Sequence, residues 1–278
     1  MDLTQYRGSP AEQARATDLL RLIPQSGTHA LDIGARDGHF SLLMTGRFDE
    51  ITALDLVAPT ITHPKIKCVQ GNASQLPFLD CSFDFVFCAE VLEHIPAGIL
   101  RKVCSEIERV ADGTILIGVP YMQDLRFGRT TCRSCGGTNP PWGHINAFDE
   151  RSLIDLFPSC EVHDISFVGT TFLRSNFLST VLMDFAGNPY GTYGQEEGCI
   201  HCDQPLLQPG PRSLVQRVAT KLGFWSQKTS SVLSKPHANW LHAVFRRRPT
   251  RPLPPEHPGQ RQARSPQPAT GGGESAQR

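Results

Sequence analysis

The sequence contains an acid followed by two glycines at the end of a short apolar run. Residues 30–40 read ALDIGARDGHF and include Asp32, Gly34 and Gly38. Glycine permits backbone conformations in which a chain turns sharply and approaches a ligand closely. The spacing differs from the three-glycine pattern that binds a pyrophosphate. Because an acid beside the turn would repel a diphosphate, this segment favours a ligand that carries a positive charge.

A second acid, Asp55, ends the next apolar run, 17 residues after Gly38. At this place in nucleotide-binding sheets, a carboxylate typically accepts hydrogen bonds from both hydroxyls of a ribose. S-adenosylmethionine combines a ribose with a cationic amino-acid arm. The two acids and the glycine turn therefore favour S-adenosylmethionine as the cofactor.

The apolar pattern around these residues predicts strands that alternate with helices. Strands are predicted at residues 28–33, 50–56, 65–72, 83–90, 113–120 and 160–169, and the main helices at 10–23, 39–48, 96–111 and 148–157. Such alternation is typical of an α/β fold with a doubly wound, mostly parallel sheet. Ligands of these sheets bind outside the carboxyl ends of the strands, and both acids and the glycine turn fall there.

Four segments in order resemble the motifs of class I S-adenosylmethionine-dependent methyltransferases. They are LDIGARDGHF, LDL, GNASQLPFLDCSFDFVFCAEVLEHI and RVADGTILIGVP, and the resemblance covers residues 28–168. It implies the seven-stranded, Rossmann-like methyltransferase sheet and an S-adenosylmethionine site. The cofactor-binding residues that it implies are Asp32, Gly34, Ala35, Arg36, Gly38, Asp55, Leu56, Asn72, Ala73, Ala89 and Glu90.

Arg36 departs from the family pattern, which has a glycine at this position. Its side chain could crowd the methionine end of the cofactor, point outward, or pair with Asp37 or with an acid of the substrate. If it blocks the site, the chain is a catalytically inactive, methyltransferase-like scaffold that binds a partner protein through its zinc element.

His94, in the segment AEVLEHIP, is the candidate catalytic base because a near-neutral pKa suits removal of a proton from an acceptor hydroxyl. The alternative is that His94 caps or packs its loop. Glu90, Glu93 and His94 also resemble a cluster that holds a divalent metal in a family branch that methylates the 3′-terminal ribose of RNA. His144, in WGHINAF, either lines the substrate pocket or satisfies a loop backbone.

Two cysteine pairs have the spacing of zinc knuckles: Cys132 with Cys135, and Cys199 with Cys202. Four thiolates suit tetrahedral zinc and leave no open position, so we predict a structural site. The ion would clamp the insertion 121–148 to the irregular segment 169–212, since neither segment has enough apolar residues to order itself. Two redox dithiols or scattered buried thiols are the alternatives.

Composition and charge bear on nucleic-acid binding, on secretion and on membrane insertion. The 278 residues carry 27 Lys and Arg against 27 Asp and Glu, and the seven Arg and two Glu from Arg246 onward leave the rest of the chain slightly acidic. A basic nucleic-acid platform is therefore not expected. The chain shows neither a signal-peptide pattern nor an apolar stretch that could span a bilayer, and we expect a cytoplasmic protein with reduced thiols.

We expect a methyltransferase core at residues 1–168, a helical segment at 213–248 and a disordered tail at 249–278. The segment NWLHAVFRRRPTR, with Trp240, Leu241, Val244 and Phe245, is a candidate for weak contact with an anionic membrane. Residues 132–157 more loosely resemble bacterial methyltransferases, some of them encoded with sugar and surface-polysaccharide enzymes. This favours a hydroxyl of a small molecule, or of a glycan or lipid intermediate, as the methyl acceptor.

Overall fold

The computed structural model of the chain describes residues 7–195 and 197–248. Seven strands of this part form one sheet: β1 Gly27–Ile33, β2 Phe48–Asp55, β3 Ile66–Gln70, β4 Phe83–Ala89, β5 Ala111–Pro120, β8 Cys160–Val168 and β9 Trp240–Arg247. Their order across the sheet is β3-β2-β1-β4-β5-β9-β8. Two short strands, β6 Thr130–Thr131 and β7 Thr138–Asn139, form a separate ribbon. The predicted seven-stranded α/β fold is confirmed.

The first five strands run parallel, and β1 lies between β2 and β4. Their inner residues are apolar on both faces, as expected for a sheet that is covered on both sides. Leu31 of β1 and Phe85 of β4, for example, have no exposed surface. Because the strands are parallel and in register, Ile33, Asp55 and Ala89 end neighbouring strands at the same edge.

The seventh strand lies where the sequence analysis placed part of a helical segment. β9 runs antiparallel between β5 and β8, and Leu241 and Phe245 are fully buried. The helical prediction for 213–248 is therefore wrong for residues 240–247. The membrane contact predicted for Trp240, Leu241, Val244 and Phe245 is also wrong, because this apolar run pairs with two strands. The core thus extends beyond the predicted limit at residue 168.

Six α-helices of the described residues flank the strands or connect them: α1 Pro10–Leu22, α2 His39–Met44, α3 Ala97–Val110, α4 Glu150–Ile154, α5 Phe177–Phe185 and α6 Leu214–Leu233. α3 buries Val103 and Ile107 against the sheet, and the side chain of Asp149 caps α4. α1 is anchored to β9 by a hydrogen bond in which the Asp18 Oδ2 lies 2.7 Å from the Nδ1 of the fully buried His242.

The insertion after β5 and the segment after β8 fold together. The backbone N–H of Thr131 donates to the Tyr193 hydroxyl at 3.0 Å, and the Asn188 amide donates to the Thr131 hydroxyl at 3.0 Å. A small apolar cluster of Cys132, Tyr193, Cys199 and Leu206 lies between the two segments. The cysteine pairs are therefore close in space although they are distant in sequence.

Within residues 7–195 and 197–248, no helix has both the length and the apolar content that are needed to cross a bilayer. The tail at 249–278, for which we predicted disorder, lies outside the described residues.

Candidate functional site

The turn between β1 and α2 needs glycine at two positions. Gly34 and Gly38 both have φ values of 79°, a left-handed conformation that glycine adopts at little cost. A side chain on Gly34 would collide with Val91, and one on Gly38 would collide with Ile61. The backbone N–H groups of Gly34 and Ala35 both donate to the Leu54 carbonyl, at 2.8 and 3.1 Å. The turn is thereby fixed against the end of β2.

Asp32 lies buried beneath this turn and accepts a hydrogen bond from the Ser41 hydroxyl of α2. Burial, as the main cause, and the nearby charge of Asp55 together raise the pKa of Asp32 to about 7. The Ser41 hydrogen bonds act in the opposite direction but do not outweigh the loss of solvation. A positively charged group at this position would favour the ionised carboxylate.

Arg36 contributes its backbone to the site, while its side chain is exposed. The N–H of Arg36 donates to the Asp55 Oδ2 at 2.9 Å, and Arg36 has a φ of 47°. The residue thus adopts a left-handed conformation, which is more common for glycine than for arginine. Asp37 pairs with Arg7 at 2.6 Å. The exposure of the Arg36 side chain favours the expectation that it points outward over the expectation that it crowds the cofactor.

The remaining predicted cofactor residues lie at or just beyond the ends of the parallel strands. Leu56 directly follows β2 and is 65% exposed, whereas Ala73 is buried. The Asn72 side chain accepts a hydrogen bond from the Ser74 N–H at 2.9 Å, which shapes the loop after β3. Ala89 ends β4 and Glu90 follows it. The sheet therefore brings these residues to the edge where Asp32 and Asp55 lie.

Glu90 faces α1, a relationship that the sequence analysis missed. Its Oε1 lies 3.8 Å from the Nη1 of Arg15, whose guanidinium also forms a bidentate pair with Glu12. Both Glu12 and Arg15 are buried. Burial raises the pKa of Glu90, while Arg15 lowers it. The (i, i+3) pair of Glu12 and Arg15 on the inner face of α1 was the available signal.

Glu93, His94 and His144 form a second cluster, in which the possible metal-ligating atoms all lie within 4.8 Å of one another. The His94 and His144 rings meet edge to face with their centroids 4.7 Å apart. The Glu93 side chain is fully buried, and neither of its carboxylate oxygens has a hydrogen-bond partner among the described residues. Burial and the charge of Glu90 raise the pKa of Glu93 well above its usual value. The predicted trio of Glu90, Glu93 and His94 is not assembled, because His144 takes the place of Glu90.

Both imidazoles of this cluster are neutral at physiological pH. Burial lowers the pKa of His94; the charge of Glu197 opposes the shift and that of Arg36 adds to it. Burial also lowers the pKa of His144, to about 3. The His144 Nδ1 lies 2.6 Å from the Gln123 Oε1, so Nδ1 carries the proton and Nε2 keeps a lone pair. His144 therefore belongs to the same site as His94.

The four predicted zinc ligands lie together, with all four sulfurs within 4.8 Å of one another. The Cys132 and Cys202 sulfurs are 3.7 Å apart, and the Cys135 and Cys199 sulfurs are 3.6 Å apart. Tetrahedral zinc with Zn–S bonds of about 2.3 Å places its sulfurs about 3.8 Å apart. The N–H groups of Gly137 and His201 donate to the Cys135 and Cys199 sulfurs, both at 3.4 Å. The geometry fits a Cys₄ ion site.

Residues 31–117 match the protein family described as a methyltransferase domain. YcgJ, an uncharacterised methyltransferase of Bacillus subtilis, is 33% identical over 99 residues, which make up 31% of this chain. The chain thus matches 38% of the length of that relative. These matches agree with the methyltransferase motifs that the sequence analysis describes.

Two solved structures are similar to this chain. A candidate methyltransferase of Bacillus halodurans has a TM-score of 0.52 and 15% sequence identity, over 84% of this chain and 98% of that one. The N-methyltransferase NodS of Bradyrhizobium japonicum, solved with S-adenosyl-L-homocysteine, has a TM-score of 0.47 at 15% identity, over 88% of this chain and 92% of that one. At this identity, the first likeness shows the fold alone.

The Asp32→Asn substitution should stabilise the fold and weaken cofactor binding. The folded pKa of Asp32 is about 7, above the unfolded value of 3.8. Ionisation of this carboxylate therefore destabilises the fold. The destabilisation begins above about pH 4, grows up to about pH 7 and stays constant at higher pH. At pH 8 we expect a gain of roughly 2–4 kcal/mol in the free energy of unfolding, measured by urea denaturation, and a loss of affinity for S-adenosylmethionine. Equal stability of variant and wild type at pH 8 would contradict the burial of an ionisable Asp32.

Proposed function

We propose that the chain transfers the methyl group of S-adenosylmethionine to a hydroxyl of a small molecule, or of a glycan or lipid intermediate. The match of residues 31–117 to a methyltransferase domain supports the transfer of a methyl group. The observation that carries the choice of a hydroxyl is His94. It is a neutral imidazole in the loop after β4, close enough to the glycine turn for Arg36 to affect its pKa. A neutral imidazole can remove the proton that a hydroxyl loses on methylation.

The residues around the turn fit the cofactor. Asp55 would accept hydrogen bonds from the ribose hydroxyls, Asp32 would face the cationic amino-acid arm, and the loop at Asn72 and Ala73 would meet the adenine. When bound, S-adenosylmethionine supplies a methyl group already activated by a sulfonium. The protein mainly has to align the acceptor oxygen with that methyl group.

The histidine pair would supply the proton transfer. Backbone contacts of the Glu93 carbonyl with the N–H groups of Ile145 and Asn146, at 2.8 and 3.1 Å, join the loop of His94 to that of His144. His144 packs edge-on against His94 and restricts its ring. His94 would then accept the hydroxyl proton as the methyl group is transferred.

We also propose that Cys132, Cys135, Cys199 and Cys202 hold a structural zinc ion. The tetrahedral sulfur spacing and the backbone N–H donors support this assignment. The ion would lock the insertion to the later segment and so form one wall of the acceptor site. Thiolate ligands persist in a reducing compartment, which agrees with the cytoplasmic location that we propose.

A second candidate function, metal-assisted methylation of an RNA ribose hydroxyl, is favoured by Glu93. A buried carboxylate that lacks a hydrogen-bond partner is costly unless it is protonated or bound to a cation. Carboxylate and imidazole together suit Mg²⁺ or Mn²⁺. In this alternative, Glu93, His94 and His144 would hold the ion, which would supply positive charge near the acceptor hydroxyl.

The first experiment follows transfer of tritium from methyl-labelled S-adenosylmethionine into separated lipid, glycan and RNA fractions of a bacterial extract. We expect alkali-stable label in the lipid or glycan fraction, and a loss of about 100-fold or more in His94→Asn. The matched control is His29→Asn, because His29 is exposed on β1. The pKa of His94 lies below its usual value of 6.5, so the rate should level off above pH 6.5 and fall at lower pH.

Three outcomes would contradict this proposal. If His94→Asn transferred methyl groups as fast as the wild type, His94 would not be the catalytic base. Transfer into RNA that is abolished by EDTA and restored by Mg²⁺ would establish the metal-assisted alternative. Binding of cofactor without transfer into any fraction would favour the inactive scaffold.

Zinc binding has its own test, which is independent of activity. Elemental analysis of the purified protein should find one zinc per chain, and Cys132→Ser and Cys199→Ser should lose it. Cys81→Ser is the control, because Cys81 is an exposed cysteine outside the cluster. Removal of the ion by a strong chelator should lower the melting temperature by several degrees. Retention of full zinc by Cys132→Ser would contradict the Cys₄ assignment.

A further inference from the structure

The long helix α6 exposes the side that carries large apolar residues and buries the side that carries small residues. Ala219, Thr220 and Gly223 face the protein and are buried. The opposite side carries Leu214, Val218, Leu222 and Trp225, which are between 49% and 75% exposed. We call these four residues the α6 stripe. This is the reverse of an ordinary surface helix, whose apolar side faces the core, and the stripe therefore requires an occupant.

Packing against α5 explains why the small residues face inward. A Cβ atom added to Gly223 would lie 3.2 Å from the Leu182 Cβ, so the two helices approach closely at this point. The Asn176 side chain at the start of α5 donates to the Ser226 carbonyl at 3.1 Å and to the Ser230 hydroxyl at 2.6 Å. α6 is thus held firmly in an orientation that turns its stripe outward.

Positive charge accompanies the stripe along the helix. Arg217, Lys221 and Lys228 are exposed, and their spacing of four and seven residues places them on one side of α6, beside the stripe. The Lys228 ammonium lies 5.1 Å from the centre of the Trp225 ring. Between residues 204 and 235 there are five Lys or Arg residues and no Asp or Glu. The complementary surface is therefore anionic as well as apolar.

We propose that the α6 stripe docks the protein on an anionic lipid bilayer, with the helix lying parallel to the membrane plane. Leucine, valine and tryptophan suit the boundary between headgroups and acyl chains, while lysine and arginine attract anionic headgroups. At 1.5 Å per residue, the 20 residues of α6 extend about 30 Å along the surface. This docking is independent of the catalytic proposal and concerns a different part of the chain from β9 and the tail.

Flotation of the full-length protein with vesicles tests the proposal. One set of vesicles contains phosphatidylcholine alone, and the other also contains phosphatidylglycerol. The two test variants are Leu222→Ser/Trp225→Ser and Lys221→Glu/Lys228→Glu. The matched controls are Leu79→Ser and Lys102→Glu, which change an exposed leucine and an exposed lysine elsewhere. Every variant keeps residues 249–278, so differences between variants report on α6 alone.

We expect salt-sensitive binding to the anionic vesicles only, reduced at least about tenfold by each double variant and unchanged in the controls. Far-UV circular dichroism checks that each variant is folded, and the charge variant leaves the stripe itself intact. Absence of binding by the wild type, or equal binding by the double variants and the wild type, would overturn the proposal. A dimer in sedimentation that is lost in Leu222→Ser/Trp225→Ser, without vesicle binding, would instead assign the stripe to a second copy of the chain.

Discussion

The candidate cofactor site depends on the turn that follows β1. Gly34 and Gly38 adopt left-handed conformations where no side chain would fit, and Asp32 is sealed beneath them with a raised pKa. Within this turn, the backbone N–H of Arg36 donates a hydrogen bond to the Asp55 carboxylate. A single local conformation therefore positions both acids, one below the turn and one at the end of the neighbouring strand. A parallel sheet places both at one edge, because its strands end together.

A second constraint acts on the opposite wall of the site. The irregular segments that follow β5 and β8 bury few apolar residues, and a small cluster around Cys132 and Cys199 holds them together. His144 lies in the first of these segments and meets His94 from the sheet. The cysteine cluster and the histidine pair are therefore linked through the same insertion. If zinc orders this insertion, it also sets the position of His144 beside His94, the proposed base.

The sequence predicted what depends on local pattern. The glycines, Asp32 and Asp55 stand within short segments whose spacing indicates a strand, a turn and a strand, and the Cys pairs have a spacing specific to metal ligands. Contacts between residues that are distant in the sequence left no comparable local pattern. β9 was missed because its apolar run ends in three arginines and follows a helix, and Arg15 was missed because α1 meets Glu90 only in the folded chain. The partnership of His94 with His144 likewise depends on how an irregular loop returns to the sheet.

Calorimetric titration of the purified chain with S-adenosylmethionine tests the central claim most directly, with NAD as the control ligand. The Asp55→Ala variant removes the carboxylate that the turn positions, and Asp49→Ala is its matched control, because Asp49 is an exposed acid of the same strand. The account predicts saturable binding of S-adenosylmethionine and none of NAD, with affinity lost in Asp55→Ala and retained in Asp49→Ala. Absence of binding by folded wild-type protein, or equal affinity in Asp55→Ala, would contradict it.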